Sequence, residues 1–178
     1  MAGIDYAAIE LLVLDVDGVL TDGRIVLAPG GGEIKAFNAR DGAGMKYWKR
    51  VGGKLAIISG RSSPVVKVRA EELGVDAVRL EVTDKLPAYR EVLDELSVTP
   101  ARAAVVGDDL TDLPLLMHCG LPVAVADAVD EVRGAAAYVT KAPGGAGAVR
   151  EVVELILKKA GKWDAIMQRY LRQARKQE

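Results

Sequence analysis

"LLVLDVDGVLTDG" (residues 11–23) runs without interruption through apolar residues into two carboxylates, Asp15 and Asp17, and then a glycine. An apolar run that does not alternate belongs to a strand covered on both faces, the habit of parallel sheets. Acidic residues at the carboxyl end of such a strand lie where open parallel sheets bind ligands. The stretch therefore points to a fold and raises a question, namely what offsets the repulsion between two neighbouring acids.

Reading outward, apolar runs alternate with helical patterns. Strands are expected at 10–16, 54–60, 76–82, 102–108, 121–127 and 136–140, and a β-hairpin at 23–37 around Pro29 and three glycines. Helices are expected at 41–52, 63–74, 84–97, 111–120, 128–135 and 147–161. The alternation predicts an α/β fold: a doubly wound, Rossmann-like parallel sheet with helices on both faces and a hairpin insertion. Residues 1–161 read as one domain and 162–178 as a basic amphipathic C-terminal helical tail.

The chain has 178 residues, enough for a substantial core, and a formal net charge of −1. That balance gives no electrostatic reason to expect nucleic acid or an anionic membrane as partner. The N-terminus has no basic region or cleavage site before Asp15, and no apolar stretch is long enough to span a bilayer. The single cysteine, Cys119, cannot form an internal disulfide, so the cytoplasm is the expected location.

Polar residues punctuate the expected strand ends in succession: Asp15-Val16-Asp17, then Ser59-Gly60-Arg61, then Lys85, then Gly107-Asp108-Asp109. Clustered carboxylates suit Mg²⁺, a hard cation that prefers oxygen ligands and bridges to phosphate. A carboxylate can also attack phosphorus and divide hydrolysis into two steps. Ser59 and Lys85 would then hold the equatorial oxygens of the transferred group. A lysine among the acids would offset their repulsion and keep the nucleophile ionised.

"DVDGVLTDG", "IISG", Lys85 and "GDDLTD" resemble the four motifs of the haloacid dehalogenase superfamily of phosphatases. The resemblance implies Asp15 as nucleophile and Asp17 as general acid, then base. It also implies Mg²⁺ held by Asp15, Asp108 and the Asp17 backbone carbonyl, with Asp109 and Asp112 completing the surroundings; Mn²⁺ or Co²⁺ are alternative metals. Segments 18–58 and 60–84 hold a hairpin, two helices and a short strand, so no cap domain fits. A capless site would be open to water, and the 23–37 hairpin of a neighbouring subunit is the expected cover.

"FNARDGAGMK", "DKLPAY", "GLPVAVADAVDEVR" and "PGGAGAVREVVELIL" are similar to segments of the capless, tetrameric 3-deoxy-D-manno-octulosonate 8-phosphate phosphatase family of lipopolysaccharide biosynthesis. That resemblance places Gly60 and Arg61 beside phosphate and sugar, and Arg69 at the substrate carboxylate. The loop Asn38, Ala39, Arg40, Asp41 and Gly42, with Lys46, would line the substrate site across a subunit contact, and Thr111 would sit near the outer acids. It implies a homotetramer acting on a small sugar-acid phosphate. Arginines suit both ends of such a substrate by bidentate pairing, and Arg61 and Arg69 are two helical turns apart, hence on one helix face.

The chain departs from the family pattern at Lys46, where arginine is usual, at Thr111, where asparagine is usual, and at Glu81, where a glycine is common. A sister family acting on nine-carbon keto-sugar 9-phosphates tends to carry glutamate at the place of Arg61 and lysine at that of Glu72. Readings of another class are a phospho-accepting receiver and a non-catalytic scaffold of the same fold. The order of the motifs and the presence of Asp17 speak against both.

Overall fold

The computed structural model describes residues 3–175. In chain order its elements are β1 (Leu11–Leu14), β2 (Val26–Leu27), β3 (Glu33–Ile34), α1 (Ala39–Arg50), β4 (Lys54–Ile58), α2 (Pro64–Leu73), β5 (Ala77–Arg79) and α3 (Lys85–Glu95). There follow β6 (Ala103–Gly107), α4 (Leu113–Leu116), β7 (Leu121–Ala124), α5 (Asp130–Ala135), β8 (Tyr138–Val139), α6 (Ala148–Lys159) and α7 (Trp163–Arg175).

Six strands form one parallel sheet in the order β5-β4-β1-β6-β7-β8. The quoted stretch supplies its centre. Every residue of β1 is buried, because β4 and β6 flank it and helices cover both faces. One layer contains α1, α2 and α6, and the other contains α3, α4 and α5. Val149, Val152, Val153, Ile156 and Leu157 put the apolar face of α6 against the core. Each such burial contributes roughly 1.5–3 kcal/mol, so a charged residue at Val153 would undo that packing.

From β1 the chain passes to β4 on one side, while β6 on the other side is reached by a crossover from β5. The strand order thus reverses between β1 and β6, and a crevice opens at their carboxyl ends. The expected doubly wound α/β fold is what the chain adopts, with β2 and β3 as a separate antiparallel hairpin. Among the described residues there is no cap domain.

Three boundaries differ from the sequence reading. The helix expected over 111–120 is a 3₁₀ turn at Leu110–Asp112 followed by the single turn of α4. There the Gly120 amide bonds back to Pro100 and Ala103, which ends the segment. The strand expected over 76–82 stops at Arg79, because Glu81 turns the chain with φ +61°. Helix α1 starts at Ala39 because the Asn38 side chain accepts the Arg40 N–H at 2.8 Å and caps it.

The expected tail is helical from Trp163 and docks on α1 and α6. Tyr47 meets Trp163 and Tyr170 edge to face, each at 6.0 Å, and Arg50 donates to the Tyr170 hydroxyl at 2.8 Å. Residues 176–178 of that tail lie outside the described residues. No helix among the described residues is long and apolar enough to cross a membrane.

Candidate active site

The crevice between β1 and β6 is a cleft of about 270 Å³ lined by Asp15, Asp17, Ser59, Gly60, Arg61, Lys85, Asp108, Asp109 and Thr111, with Val82. Asp15 directly follows β1, and its N–H bonds to the Val106 carbonyl of β6, so the sheet itself fixes its backbone. Lys85 is the first residue of α3, whose N-cap Asp84 accepts the Leu86 N–H at 3.2 Å. From there the buried ammonium donates to Asp15 Oδ1 at 2.8 Å and to Asp112 Oδ1 at 2.7 Å. These bonds join residues 70 and 27 positions apart in sequence.

Carboxylate oxygens of Asp15, Asp108 and Asp112 lie within 4.8 Å of one another. Both oxygens of Asp112 are already engaged, one by Lys85 and the other by the Asp108 and Asp109 N–H groups at 3.0 and 3.5 Å. Asp109 in turn accepts the Leu110 N–H at 2.7 Å, and with Asp112 it forms a reciprocal cap of the 3₁₀ turn. Asp108 differs: its Oδ1 is buried without a partner. A buried carboxylate oxygen with no donor beside two other acids fits a hard divalent cation held mainly between Asp15 and Asp108.

Electrostatics agree with the geometry. Burial raises Asp108 to about 8, with Asp15 and Asp112 adding to the effect. Burial also raises Asp15 to about 6, Asp112 reinforces this, and Lys85 opposes it. Burial by itself would lower Lys85, but the two carboxylates outweigh it and hold the ammonium charged.

Gly18 makes the turn after Asp17 with φ +95°, and a side chain there would begin 2.0 Å from Asp108 Oδ2. The "PGGAGA" loop packs onto this same turn. A Cβ on Gly144 would meet the Gly18 carbonyl at 1.6 Å, so that loop supports the site from below rather than binding an anion. His118 Nδ1 lies 2.7 Å from the Pro114 carbonyl, and the Cys119 thiol bonds to the Leu116 carbonyl with burial pushing its pKa up to about 12. Neither residue takes part in the cleft.

Apart from Arg61, which lines the cleft, the remaining sequence-derived candidates fall elsewhere in this chain. Arg61 precedes α2, which begins only at Pro64, so Arg61 and Arg69 do not share a helix face as expected. Asn38, Asp41, Gly42 and Arg69 surround a separate small pocket with Phe37. Asp41 is buried there and accepts the Gly147 and Arg150 N–H groups at 3.1 and 2.8 Å, capping α6. Arg69 donates to Glu72 at 2.6 Å and Lys46 lies 3.7 Å from the same residue. Ala39 opens α1, and Arg40 edges a groove beside Arg150.

Two residues at the cleft escaped the sequence reading. Glu33 on β3 and Lys35 just after it reach Arg61 and Asp17 of their own chain. Their spacing, two apart with the exposed Ile34 between, was the only available signal, and it reads equally as the polar side of any hairpin.

A family described as haloacid dehalogenase-like hydrolase matches residues 78–152. The 3-deoxy-D-manno-octulosonate 8-phosphate phosphatase KdsC of Escherichia coli strain K12 is 46% identical over 156 residues, 88% of this chain and 83% of that protein. The chain belongs to the 3-deoxy-D-manno-octulosonate 8-phosphate phosphatase family. Among solved structures of this family, the Moraxella catarrhalis enzyme in complex with magnesium ion, phosphate ion and KDO is 40% identical. It superposes with a TM-score of 0.90, over 93% of this chain and 95% of that one. The cobalt-bound Haemophilus influenzae enzyme is 38% identical, with a TM-score of 0.86 over 88% of this chain and 92% of that one. Family membership makes the chain a phosphatase, and the Lys85–Asp15 arrangement fits a phosphate-binding cleft.

Proposed function

We propose that this chain hydrolyses 3-deoxy-D-manno-octulosonate 8-phosphate to 3-deoxy-D-manno-octulosonate (KDO) and inorganic phosphate, with Mg²⁺, in the supply of lipopolysaccharide precursors. One observation carries the reading. Asp15 is held by a buried lysine beside an Asp108 oxygen that lacks any partner, in a chain whose M. catarrhalis relative is described with magnesium, phosphate and KDO.

Asp15 attacks phosphorus, and the bond from phosphorus to the C8 oxygen breaks with its electron pair passing to that oxygen. Asp17 gives the departing oxygen a proton. Water then attacks the aspartyl-phosphate while Asp17 takes its proton, which frees phosphate and restores Asp15. The Ser59 hydroxyl and the Lys85 ammonium meet the phosphoryl oxygens at both stages. Asp15, Asp108 and the Asp17 carbonyl would hold the ion, which when bound supplies positive charge against the phosphoryl oxygens. Mn²⁺ or Co²⁺ would suit the same oxygen donors. Asp109 and Asp112 keep the metal-side loop in place through their capping bonds.

Arg61, half-exposed at the cleft, suits the phosphate and sugar, with Gly60 and Thr111 completing the wall. Arg69, Lys46 and the 38–42 loop would act at a neighbouring subunit's site in a cytoplasmic homotetramer. Support for that assembly comes from the hairpin, where Ile25, Val26, Leu27 and Ile34 are exposed together.

A panel of sugar phosphates with Mg²⁺ tests the reading. The eight-carbon keto-acid phosphate should be turned over best, ahead of its nine-carbon homologue and of hexose phosphates. Equal rates on hexose phosphates would overturn the substrate assignment. Full turnover by Asp15→Asn would exclude the covalent route, and a monomer at working concentration would exclude the shared site.

A further inference from the structure

Lys35 directly follows β3, outside the four motifs, yet its side chain is only 1% exposed. Its ammonium donates to Asp17 Oδ1 and lies 3.2 Å from Glu33 Oε1. Glu33 Oε1 also accepts from Arg61 Nη2 at 3.1 Å, and Arg61 Nε lies 3.7 Å from Asp17 Oδ2. Four alternating charges therefore close a ring, Asp17–Lys35–Glu33–Arg61, which ties the hairpin over the cleft of its own chain. The sequence expectation gave the hairpin only to a neighbour's site.

The two cations on Asp17 differ in what they can do during turnover. Arg61 is half-exposed and lies against the cleft, free to move onto an incoming anion. Lys35 is enclosed and bonded at a different oxygen. When Arg61 turns to substrate, Lys35 is left as the fixed partner of the carboxylate. With Oδ1 held, Oδ2 is the oxygen that carries the proton toward the leaving group.

We propose that Lys35 is a positioning residue for proton transfer by Asp17, and that Glu33 holds Lys35 in place. The inference rests on the role given to Asp17 above. It predicts a dependence on the leaving group. An alkoxide from a sugar carbon needs a proton as it departs, whereas p-nitrophenolate departs readily without one, so only the first reaction depends on an aligned acid.

The experiment compares wild type, Lys35→Met, Lys35→Arg and Glu33→Gln with Mg²⁺ on a primary-alcohol phosphate and on p-nitrophenyl phosphate. For Lys35→Met, kcat/KM on the alkyl substrate, which reports the steps through departure of the alcohol, should fall about 100-fold, the scale of one general acid, and at most about threefold on the aryl substrate. Slowing of the later water attack, where Asp17 acts as base, enters kcat alike for both substrates, and Lys35→Arg should recover a large part of the loss in kcat/KM. Glu33→Gln should give a weaker version of the same asymmetry. Equal losses of kcat/KM on both substrates would mean that Lys35 only supports the hairpin and would overturn the proposal. A change confined to KM would make it a substrate-binding residue, and no change would leave it no role; either result also overturns the proposal. The alkyl substrate can be any primary-alcohol phosphate that wild type hydrolyses. Failure of the eight-carbon assignment therefore appears in the wild-type panel and stays separate from failure of the Lys35 asymmetry.

Discussion

The Lys85 ammonium lies 2.8 Å from Asp15 Oδ1 and 2.7 Å from Asp112 Oδ1, so one buried cation separates two buried acids. This answers the repulsion raised by residues 11–23, and with a residue outside that stretch. Asp17 draws its compensation from different cations, Lys35 and Arg61, so the two acids of "DVD" are each held by their own partners. Separate partners suit two carboxylates with different tasks.

Lys85→Met should therefore harm folding and turnover together. Removing one member of a buried charge network costs about 3–5 kcal/mol, and loss of a donor to the phosphoryl oxygens costs roughly 100- to 1,000-fold in kcat. Mg²⁺ should restore part of the stability by taking over the separation of Asp15 from Asp112, and little of the rate. Thermal melts with and without Mg²⁺, beside kcat, check this; equal recovery of both would contradict it.

The raised carboxyls give stability a definite dependence on pH. Asp108 at about 8 and Asp15 at about 6 both lie above the ordinary 3.8 because burial disfavours their charged forms. Without metal, the folded chain binds these protons more tightly than the unfolded chain does. Their contribution is complete below about pH 4 and is lost as pH rises through about 6 and then about 8. A divalent cation takes the place of the protons, so the Mg²⁺-induced rise in Tm should be small near pH 5 and should grow up to about pH 8.5. A Mg²⁺ effect that shrinks over this range would show that these acids do not form the metal site.

Much of the site was legible because the sheet dictates it. A strand apolar on both faces must be central, and its polar terminus must meet the terminus of its neighbour, so Asp15 and Asp108 could be placed together. Arg61 and Arg69 were misread because residue spacing means a shared face only inside a helix, and the Ser63-Pro64 step starts α2 after Arg61. Asp41 reads as one more polar loop residue; that it caps α6 more than a hundred positions onward is visible only once α1 and α6 are packed. Glu33 and Lys35 were hidden in the same way, since alternation gives the face of a strand and not what lies opposite it.

Gly18→Ala should show how closely the first turn fits the metal side. The new methyl would begin 2.0 Å from Asp108 Oδ2 at a backbone angle that disfavours side chains. Either the turn or Asp108 must move, at about 1–3 kcal/mol. Mg²⁺ affinity by titration calorimetry should weaken about tenfold or more, as when a ligand loses its orientation. Unaltered affinity would mean that Asp108 is not held by this turn.

Asp41→Ala tests whether that residue is needed within its own chain. Its carboxylate is buried and accepts two N–H groups at the start of α6. Losing a helix cap and leaving those donors without a partner should cost about 1–3 kcal/mol. Asp41→Asn, which keeps an acceptor, should cost less. Denaturant melts that place both variants at wild-type stability would assign Asp41 to the neighbouring subunit's site instead.

Glu81 offers a change in the opposite direction. With φ +61° it occupies the left-handed region between β5 and α3, and its N–H bonds only weakly to the Arg61 carbonyl at 3.5 Å. A side chain in this conformation costs roughly 1–2 kcal/mol. Glycine would remove that strain but would give back about 0.5–1 kcal/mol through its freer unfolded chain. Glu81→Gly should therefore stabilise the protein by about 0.5–1 kcal/mol, seen as a higher denaturant midpoint with an unchanged m-value. Because the turn runs from β5 to Lys85 and is bonded to the Arg61 carbonyl, relief of strain should also loosen Arg61. KM for the sugar-acid phosphate should then rise while kcat on p-nitrophenyl phosphate is kept. Lower stability together with an unchanged KM would show that Glu81 makes contacts worth more than its strain, and that the loop is held by something other than its backbone.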